Sequence, residues 1–379
     1  MGQTVYGVNH PQAVRHWAGA LFASTMRESF LYRNMMEQAS MIEEAGDQMA
    51  NAPVVVINDL TKNQGDRVSF DIYIQLTGRP TFGDDILENN LEDLSSFTDE
   101  IRINQLRHGV DAGGVMSQKR VLQNLRKTAK GKLQQYFSQY FDQAGITTLS
   151  GGRGVSPQLL IPMGASAAIK DGSPYDSYDS GHIRYGGDAV SKATLEAADL
   201  MSLSVLNKLL TYTKSNGGGA DGVVGITPLD KGGEDAYKLV MSPHQEHSLR
   251  TNTNTGDWMD IQKAAAGANG YGNNLFKNTL GVYRGIHMRE YQHVVQFDDY
   301  GASQNLDAHR AVFMGRQALA VAFGSASSKN LRADWVEEKK DYGNRTTIAG
   351  GMMYSFKLPK FDGKVVNSFA IDTSIPTDI

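Results

Sequence analysis

The sequence contains no cysteine, which excludes disulfide frameworks and any cysteine-based metal or nucleophile site. An intracellular origin fits that absence. No apolar run approaches the ~20 residues needed to span a bilayer, and the first residues lack the pattern of a secretory signal, so no membrane partner is expected. An excess of basic charge is missing too. The 37 Lys and Arg against 41 Asp and Glu leave a formal charge of −4, which argues against a general nucleic-acid binder. What the chain has in plenty is length and glycine. Its 379 residues exceed what one core usually fills, so two domains are the default. Its 40 glycines exceed the usual share of about 7% and gather in loops such as Ser150–Gly154, Gly217–Gly219 and Gly267–Gly272. A soluble, loop-rich α+β protein is expected.

The stretch from Met116 to Gly145 organises the rest. Apolar residues at Leu122, Leu125, Ala129, Leu133, Tyr136, Tyr140 and Ala144 recur at helical spacing and form one stripe, widened by Val121, Phe137 and Phe141. With Ser117 as N-cap and Gly145 as stop, the spacing predicts one rod of roughly 40 Å. A one-sided helix of that length needs something laid along it.

Upstream, Val68, Phe70, Ile72, Ile74 and Leu76 alternate with Ser69, Asp71, Tyr73 and Gln75, and a second run from Phe97 to Leu106 alternates through Ile101 and Ile103. They read as an antiparallel pair, but about 20 residues join them where a hairpin loop has about 2–5. A projecting two-stranded arm with a broad, acidic tip follows, too thin to be stable without a partner surface. In residues 1–50, Val14, Trp17, Leu21, Met26, Phe30, Met35 and Met36 form an apolar surface that docks either on its own domain or over a neighbouring subunit. Downstream, helices are expected over Ala189–Tyr212 and Gln317–Phe323, with a short one capped by Asp257. Tyr237–Met241 reads as a buried strand entering a capping box at Ser242–Gln245. Further strands are expected over Gly285–Phe297, Ala311–Met314, Asp334–Lys339 and Val365–Ile371, the last returning to the long-helix domain.

The search for chemistry is thin. His244 and His247 could share a helix face as metal ligands, but the spacing is not HExxH and no third ligand accompanies them. Asp171, Asp176, Asp179 and Asp188 miss EF-hand spacing. No nucleophile elbow or phosphate loop is present. No enzyme, cofactor or metal is supported.

The order of parts does carry information: loose N-terminal arm, long β arm, long helix, mixed domain, returning strand. It resembles the tailed-phage major capsid protein fold, the Hong Kong 97-like fold, shared with encapsulin shells. Stretches similar to the capsid family typified by phage N-four are Gly83-Asp84-Asp85 through Glu92-Asp93-Leu94 and Ile101–His108. Others are Tyr237–Pro243, Asn274-Leu275-Phe276, Leu280–Tyr283, Gly315–Leu319 and Asp341–Asn344. The resemblance implies an N-terminal arm (1–55), an extended β arm or E-loop (56–115), and a peripheral domain with the spine helix (116–195). An axial domain (196–330) and a return to the peripheral domain (331–379) complete it.

By the same resemblance the chain is a structural subunit that self-assembles into hexamers and pentamers of an icosahedral head around double-stranded DNA. It would be made in the bacterial cytoplasm, with scaffolding, cement or portal proteins as further partners. Rivals are an encapsulin-like compartment and, from another class, a metal-dependent hydrolase centred on His244 and His247.

Charge suggests where subunits meet. From Asp84 to Glu100 there are acids at Asp84, Asp85, Glu88, Glu92, Asp93, Asp99 and Glu100 and no base. The long-helix stretch carries Lys119, Arg120, Arg126, Lys127, Lys130 and Lys132 against the single acid Asp142. The two faces are either merely solvated, or the bases face packaged DNA, or the acidic tip docks on a neighbour's basic surface. The candidate interface is therefore Asp84, Asp85, Glu88, Glu92 and Asp93 with Lys119, Arg120, Arg126, Lys127 and Lys130.

Overall fold

The computed structural model describes residues 11–36, 51–57, 65–73, 78–83, 87–88, 91–93, 96–121, 123–152, 161, 176–215, 225–230, 233–251, 281–325 and 332–376. Its helices and strands begin with α1 (Pro11–Glu28), α2 (Phe30–Asn34), β1 (Val54–Ile57), β2 (Arg67–Tyr73), β3 (Ser96–Arg102), β4 (Asn104–Gly114), α3 (Val115–Arg120) and α4 (Leu125–Leu149). They continue through β5 (Ile183–Tyr185), α5 (Leu203–Ser215), β6 (Leu229–Asp230), β7 (Asp235–Met241), α6 (Pro243–Thr251), β8 (Gly281–Tyr283), β9 (Ile286–Glu290) and β10 (Gln296–Tyr300). The last are β11 (Leu306–Met314), β12 (Leu319–Phe323), β13 (Ala333–Lys340), β14 (Arg345–Lys357), β15 (Lys360–Phe361), β16 (Lys364–Val365) and β17 (Ser368–Ser374).

Two sheets share a core around α4. A five-stranded sheet runs β1-β12-β14-β13, with β4 on the other edge of β14. An eight-stranded sheet runs β5-β17-β11-β7-β9-β8, with β10 on β11 and β6 on β7. Ala129, Leu133, Phe137, Phe141 and Ala144 of α4 pack with Ile348, Met352 and Phe356 of β14, and the same core takes Val240, Val312 and Ala370 from the eight-stranded sheet. The opposite face of those strands presents Leu239, Phe313, Phe369 and Ile371 to Leu206, Leu209 and Leu210 of α5. Strand periodicity of two makes this layering possible.

The long helix is real but starts later than expected. The stretch predicted as one rod is two helices, because Val121 is extended (φ −114°, ψ 131°) and Asn124, not Ser117, is the N-cap, accepting from Lys127 N at 3.2 Å. An Asn side chain competes well for an orphan helix N–H. Gly145 does not stop α4. It lies inside it, where a Cβ would come within 2.1 Å of Leu31 and 3.2 Å of Phe356. Glycine there lets α2 and β14 close on the helix. Gly350 serves the same end from the sheet side, where a Cβ would come within 3.0 Å of Leu21 and Phe137 and 3.1 Å of Leu133, closer than van der Waals contact.

Two further expectations need correction, and one strand stands where the spacing predicts none. Over Ala189–Tyr212 the chain has only a short turn at Lys192–Thr194 before α5 begins at Leu203. Leu319–Phe323 is the buried strand β12, parallel to β1, and not a helix. A short run of small apolar residues cannot be assigned by periodicity alone. Strand β14 was not foreseen, although Ile348, Gly350, Met352, Tyr354 and Phe356 alternate correctly, because Gly350 interrupts the apolar series. The returning strand β17 joins the eight-stranded sheet and brings Ala370 into the core around α4, while the β13–β14 hairpin lies along the helix itself. The strand expected over Gly285–Phe297 is found as β9 and the start of β10, and the helix expected after Asp257 lies outside the described residues.

Of the two placements open for the N-terminal segment, residues 11–36 take the docked one. Trp17 stacks on Trp335 with centroids 6.2 Å apart, and Phe22 meets Phe323 edge-on at 5.7 Å. The elbow between α1 and α2 is fixed by Asp142, which accepts from Ser29 Oγ at 2.6 Å, Phe30 N at 2.7 Å and Leu31 N at 3.0 Å. Burial pushes this carboxyl up, against three hydrogen bonds that lower it. Replacing Asp142 by Ala leaves those donors unmet, so a loss of about 3 kcal/mol in denaturant stability is expected. Asp142→Asn, which keeps one acceptor, should lose less.

Candidate assembly interface

The arm is present as expected. β2 pairs antiparallel with β3 from Arg67↔Arg102 to Tyr73↔Ser96. Its root is not free-standing: Ile101 packs with Ala320 and Ala322 of β12, joined by Val68, Phe70, Ile103 and Ile57. Beyond the root, Glu92 Oε2 accepts from Gly78 N at 2.7 Å, closing the wide loop on itself. Glu88 and Asp93 are exposed, and Asp84 and Asp85 lie outside the described residues. In the same loop stand Phe82, Leu87 and Leu91 at 63%, 56% and 73% exposure. Counting charges along the sequence passed over this apolar content, although three large hydrophobics in an acidic loop were there to be noticed.

The bases do not form one surface. Arg126 is engaged within its own chain, its Nε and Nη2 donating to Glu337 Oε1 and Oε2 at 2.7 and 2.6 Å. That pairing raises its pKa against the pull of burial. Lys130 Nζ sits 3.8 Å from the centroid of the Trp17 ring, and burial followed by Arg126 lowers its pKa. These two hold α1 and β13 to the long helix. Lys119, Arg120 and Lys127 are exposed. Next to them is a second apolar patch, Val115, Met116 and Val121, beside the β13–β14 turn with Tyr342 fully exposed. Val115 N donates to Asn344 O at 3.2 Å, tying α3 to that turn.

The alternative centre, at His244 and His247, is built differently. The Ser242–Gln245 capping box forms as expected, Gln245 N donating to Ser242 Oγ at 3.2 Å and Ser242 N to Gln245 Oε1 at 3.1 Å. His244 stands edge-on to His309, with ring centroids 5.1 Å apart. His309 is buried, its Nδ1 2.6 Å from Ser242 Oγ. Among the described residues no group of three His, Asp or Glu is placed to hold a metal ion. Among the same residues no helix is long and apolar enough to cross a membrane.

A two-sheet body with a projecting arm, an acidic apolar tip and exposed bases is a subunit shaped for association. Residues 5–370 match a family model described as phage capsid protein. The chain belongs to the phage capsid protein family. Of the curated relatives, the major capsid protein of Pseudomonas phage KPP25 is 26% identical over 335 residues, covering 82% of this chain and 83% of that protein. Among solved structures, the capsid of Ralstonia phage GP4 superposes with a TM-score of 0.79 at 38% identity, over 99% of this chain and 98% of that one. The Cyanophage Pam1 capsid asymmetric unit shares the fold, with a TM-score of 0.68 at 18% identity over 86% and 90%. The α+β, Hong Kong 97-like expectation therefore stands, and this capsid protein has the role of a major capsid protein, a subunit of a phage shell. That reading prevails over the encapsulin and hydrolase rivals.

Two buried groups of this capsid protein give its stability a pH profile. Burial, and then His244, hold the His309 imidazole down at about 4. It stays neutral when folded, so its contribution is intact above about pH 6.5 and is lost as pH falls toward 4, by up to about 3 kcal/mol. Burial, and then Glu290, push Glu246 up to about 7. Its folded form holds a proton that the unfolded chain releases above pH 4.5, so its contribution is lost as pH rises toward 7. Thermal midpoints measured from pH 4 to 8 should show both slopes, with His309→Gln flattening the acid one and Glu246→Gln the other.

Proposed function

We propose that the chain builds its shell by association alone, as hexamers and pentamers around double-stranded DNA, with the arm tip docked on a neighbouring subunit. The observation that carries this is the arm tip: it has exposed apolar side chains and exposed acids that its own chain leaves uncovered. The complementary surface is α3 with Lys119 and Arg120, together with Lys127. Arg126 and Lys130 are withdrawn from the interface, since each already has an intramolecular partner. Residues 56–115 act as the extended arm, 116–195 and 331–379 as a peripheral domain, and 196–330 as an axial one, with 1–55 preceding them. Assembly takes place in the host cytoplasm, where scaffolding, cement or portal proteins can join the shell. Neither cofactor nor catalytic residue enters the mechanism.

Deleting Thr77–Ser96 should leave a folded subunit that builds no closed shells under the electron microscope. Reversing Glu88 and Asp93 to Lys should cut shell yield severely, and reversing Lys119, Arg120 and Lys127 to Glu in the same chain should partly restore it; Glu92 is left in place because it closes the loop on Gly78. Normal shells from the acidic reversal alone would remove the docking idea. If the basic reversal instead spares assembly and impairs only DNA packaging, those bases face the genome. Empty shells should also loosen at 1 M salt, where screening confines such attractions to about 3 Å.

A second test concerns the histidines. His244→Ala with His247→Ala should leave assembly within about twofold of wild type, because association draws on neither side chain. Stoichiometric zinc in purified shells, lost together with assembly in that variant, would restore the metal reading.

A further inference from the structure

One face of β3 turns Phe97, Asp99 and Ile101 toward the body of the subunit. Ile101 is sealed in the apolar cluster with Ala320 and Ala322. Two positions further out, Asp99 Oδ1 lies 3.3 Å from Lys357 Nζ, at the end of β14. The same Nζ lies 3.0 Å from Asp176 Oδ2, and Lys360 Nζ is 3.8 Å from Asp176 Oδ1. Lys360 N donates to Asp99 Oδ2 at 3.4 Å. Two positions further still, the Phe97 ring faces Phe361 of the β15–β16 hairpin, with centroids 5.9 Å apart and planes tilted by 56°.

The four charged side chains alternate in sign, cancel in charge, and are only 12–22% exposed. Burial alone would lower the Lys357 ammonium, but Asp176 and then Asp99 hold it above its ordinary value. Four elements meet here: the arm strand β3, the end of β14, the β15–β16 hairpin, and the segment entering Asp179. Asp179 in turn accepts from Val365 N at 3.0 Å, which holds that hairpin in place.

We infer that Asp99, Lys357, Asp176 and Lys360 form an ionic latch that sets the pitch of the arm, with the apolar contact at Ile101 as the hinge on which the arm turns when the latch opens. The reasoning is mechanical. Two residues of strand separate hinge from latch, about 7 Å, while Leu91, Leu87 and Phe82 lie eight or more residues of chain beyond Asp99. A small displacement at Asp99 is therefore magnified at Phe82, Leu87 and Leu91. The hinge is apolar and keeps its energy through a modest rotation, because packing contact is non-directional. The latch is directional and has two definite states, paired or parted. In the proposed shell of hexamers and pentamers one sequence meets unequal settings, and arm pitch is a quantity the latch lets differ among them. That consequence rests on the docking proposed above; the latch itself is a property of one subunit.

The absence of cysteine makes the test clean. Cysteines introduced at Arg79 on the arm and Asp188 on the body take a pair of spin labels, and mixing labelled with excess unlabelled subunits suppresses distances between copies. Pulsed dipolar spectroscopy should give one narrow distance distribution in otherwise wild-type protein. Asp99→Asn and Lys357→Met should each broaden it at least twofold while the thermal midpoint moves little. The fourfold exchange Asp99→Lys, Lys357→Asp, Asp176→Lys and Lys360→Asp should narrow it again, since it reverses every charge and keeps their alternation. An unchanged distribution in both single variants would overturn the latch. If either variant lowers the thermal midpoint, the exchange decides: recovery of the narrow distribution upholds the latch, and failure to recover overturns it. Salt separates this from docking. At 1 M salt the exposed arm-tip contact weakens while the distribution stays narrow, because pairs this far removed from water are screened much less.

Discussion

The joint of this subunit is a buried ion pair. Arg310 on β11 grips Asp372 on β17 with Nε–Oδ1 and Nη2–Oδ2 distances of 2.7 Å each, and both residues are almost fully buried. Tyr300 OH donates to the same carboxylate at 2.6 Å, and Arg310 Nη1 donates to Ser150 O at 3.0 Å. Tyr178, whose hydroxyl burial pushes far up, donates to Leu149 O at 2.9 Å and lies 2.9 Å from Ser368 Oγ. Two charges withdrawn from water cost several kcal/mol each, and only good geometry with further hydrogen bonds offsets that. Here those bonds include carbonyls at the end of α4, which every helix leaves without an intrahelical partner. The pair therefore does two things at once. It ties the neighbouring strands β11 and β17 of the eight-stranded sheet and caps the long helix on which the five-stranded sheet lies.

A body joined in this way has little freedom to change shape. From Phe141 to Ser150 every residue of the long helix and its cap is buried, and close-packed interiors do not deform gradually. Adaptation is left to what projects. A two-stranded ribbon is marginal by itself, and this one is made firm at its root by Ile101, Val68 and Phe70 and left uncovered at its tip. Firmness at one end and exposure at the other are what a subunit needs if it is to recognise neighbours without collapsing on itself.

Local features were readable from the residues, and long-range ones were not. The alternation of Val68, Phe70 and Ile72 and of Phe97, Ile101 and Ile103 predicted the two strands of the arm, because a strand with one covered face repeats every two residues. Ser242, Pro243 and Gln245 predicted their helix start, since a capping box is satisfied within four residues. The long helix was found by its stripe, but its start was misplaced, because Ser117 and Asn124 are both competent caps and only the fold chooses between them. The β14 strand was lost to Gly350, a residue whose reason lies in Leu21, Leu133 and Phe137, each far away in the chain. Charge was least legible of all. Arg126 looked like a surface base until Glu337 was found opposite it, and Asp99 looked like part of the acidic tip although Lys357 had claimed it.

That sorting of charges changes what holds a neighbour in place. With Arg126 and Lys130 partnered within their own chain, Lys119, Arg120 and Lys127 are the bases left to the proposed docking, and one exposed ion pair contributes about 0–1 kcal/mol before salt weakens it. Phe82, Leu87 and Leu91 are each more than half exposed, and fully covering such a side chain contributes about 1.5–3 kcal/mol. In the docking proposed above, the apolar part of the tip therefore supplies the larger share of the affinity. The charges act where apolar contact is indifferent: they reject wrong registers, since like charges brought together repel, and they speed correct encounter. A shell multiplies one weak contact over every subunit, so it needs each contact to be reversible while it forms. Modest apolar anchors with a charged rim meet that need, whereas an interface as tight as the Arg310–Asp372 joint would trap the first misplaced subunit.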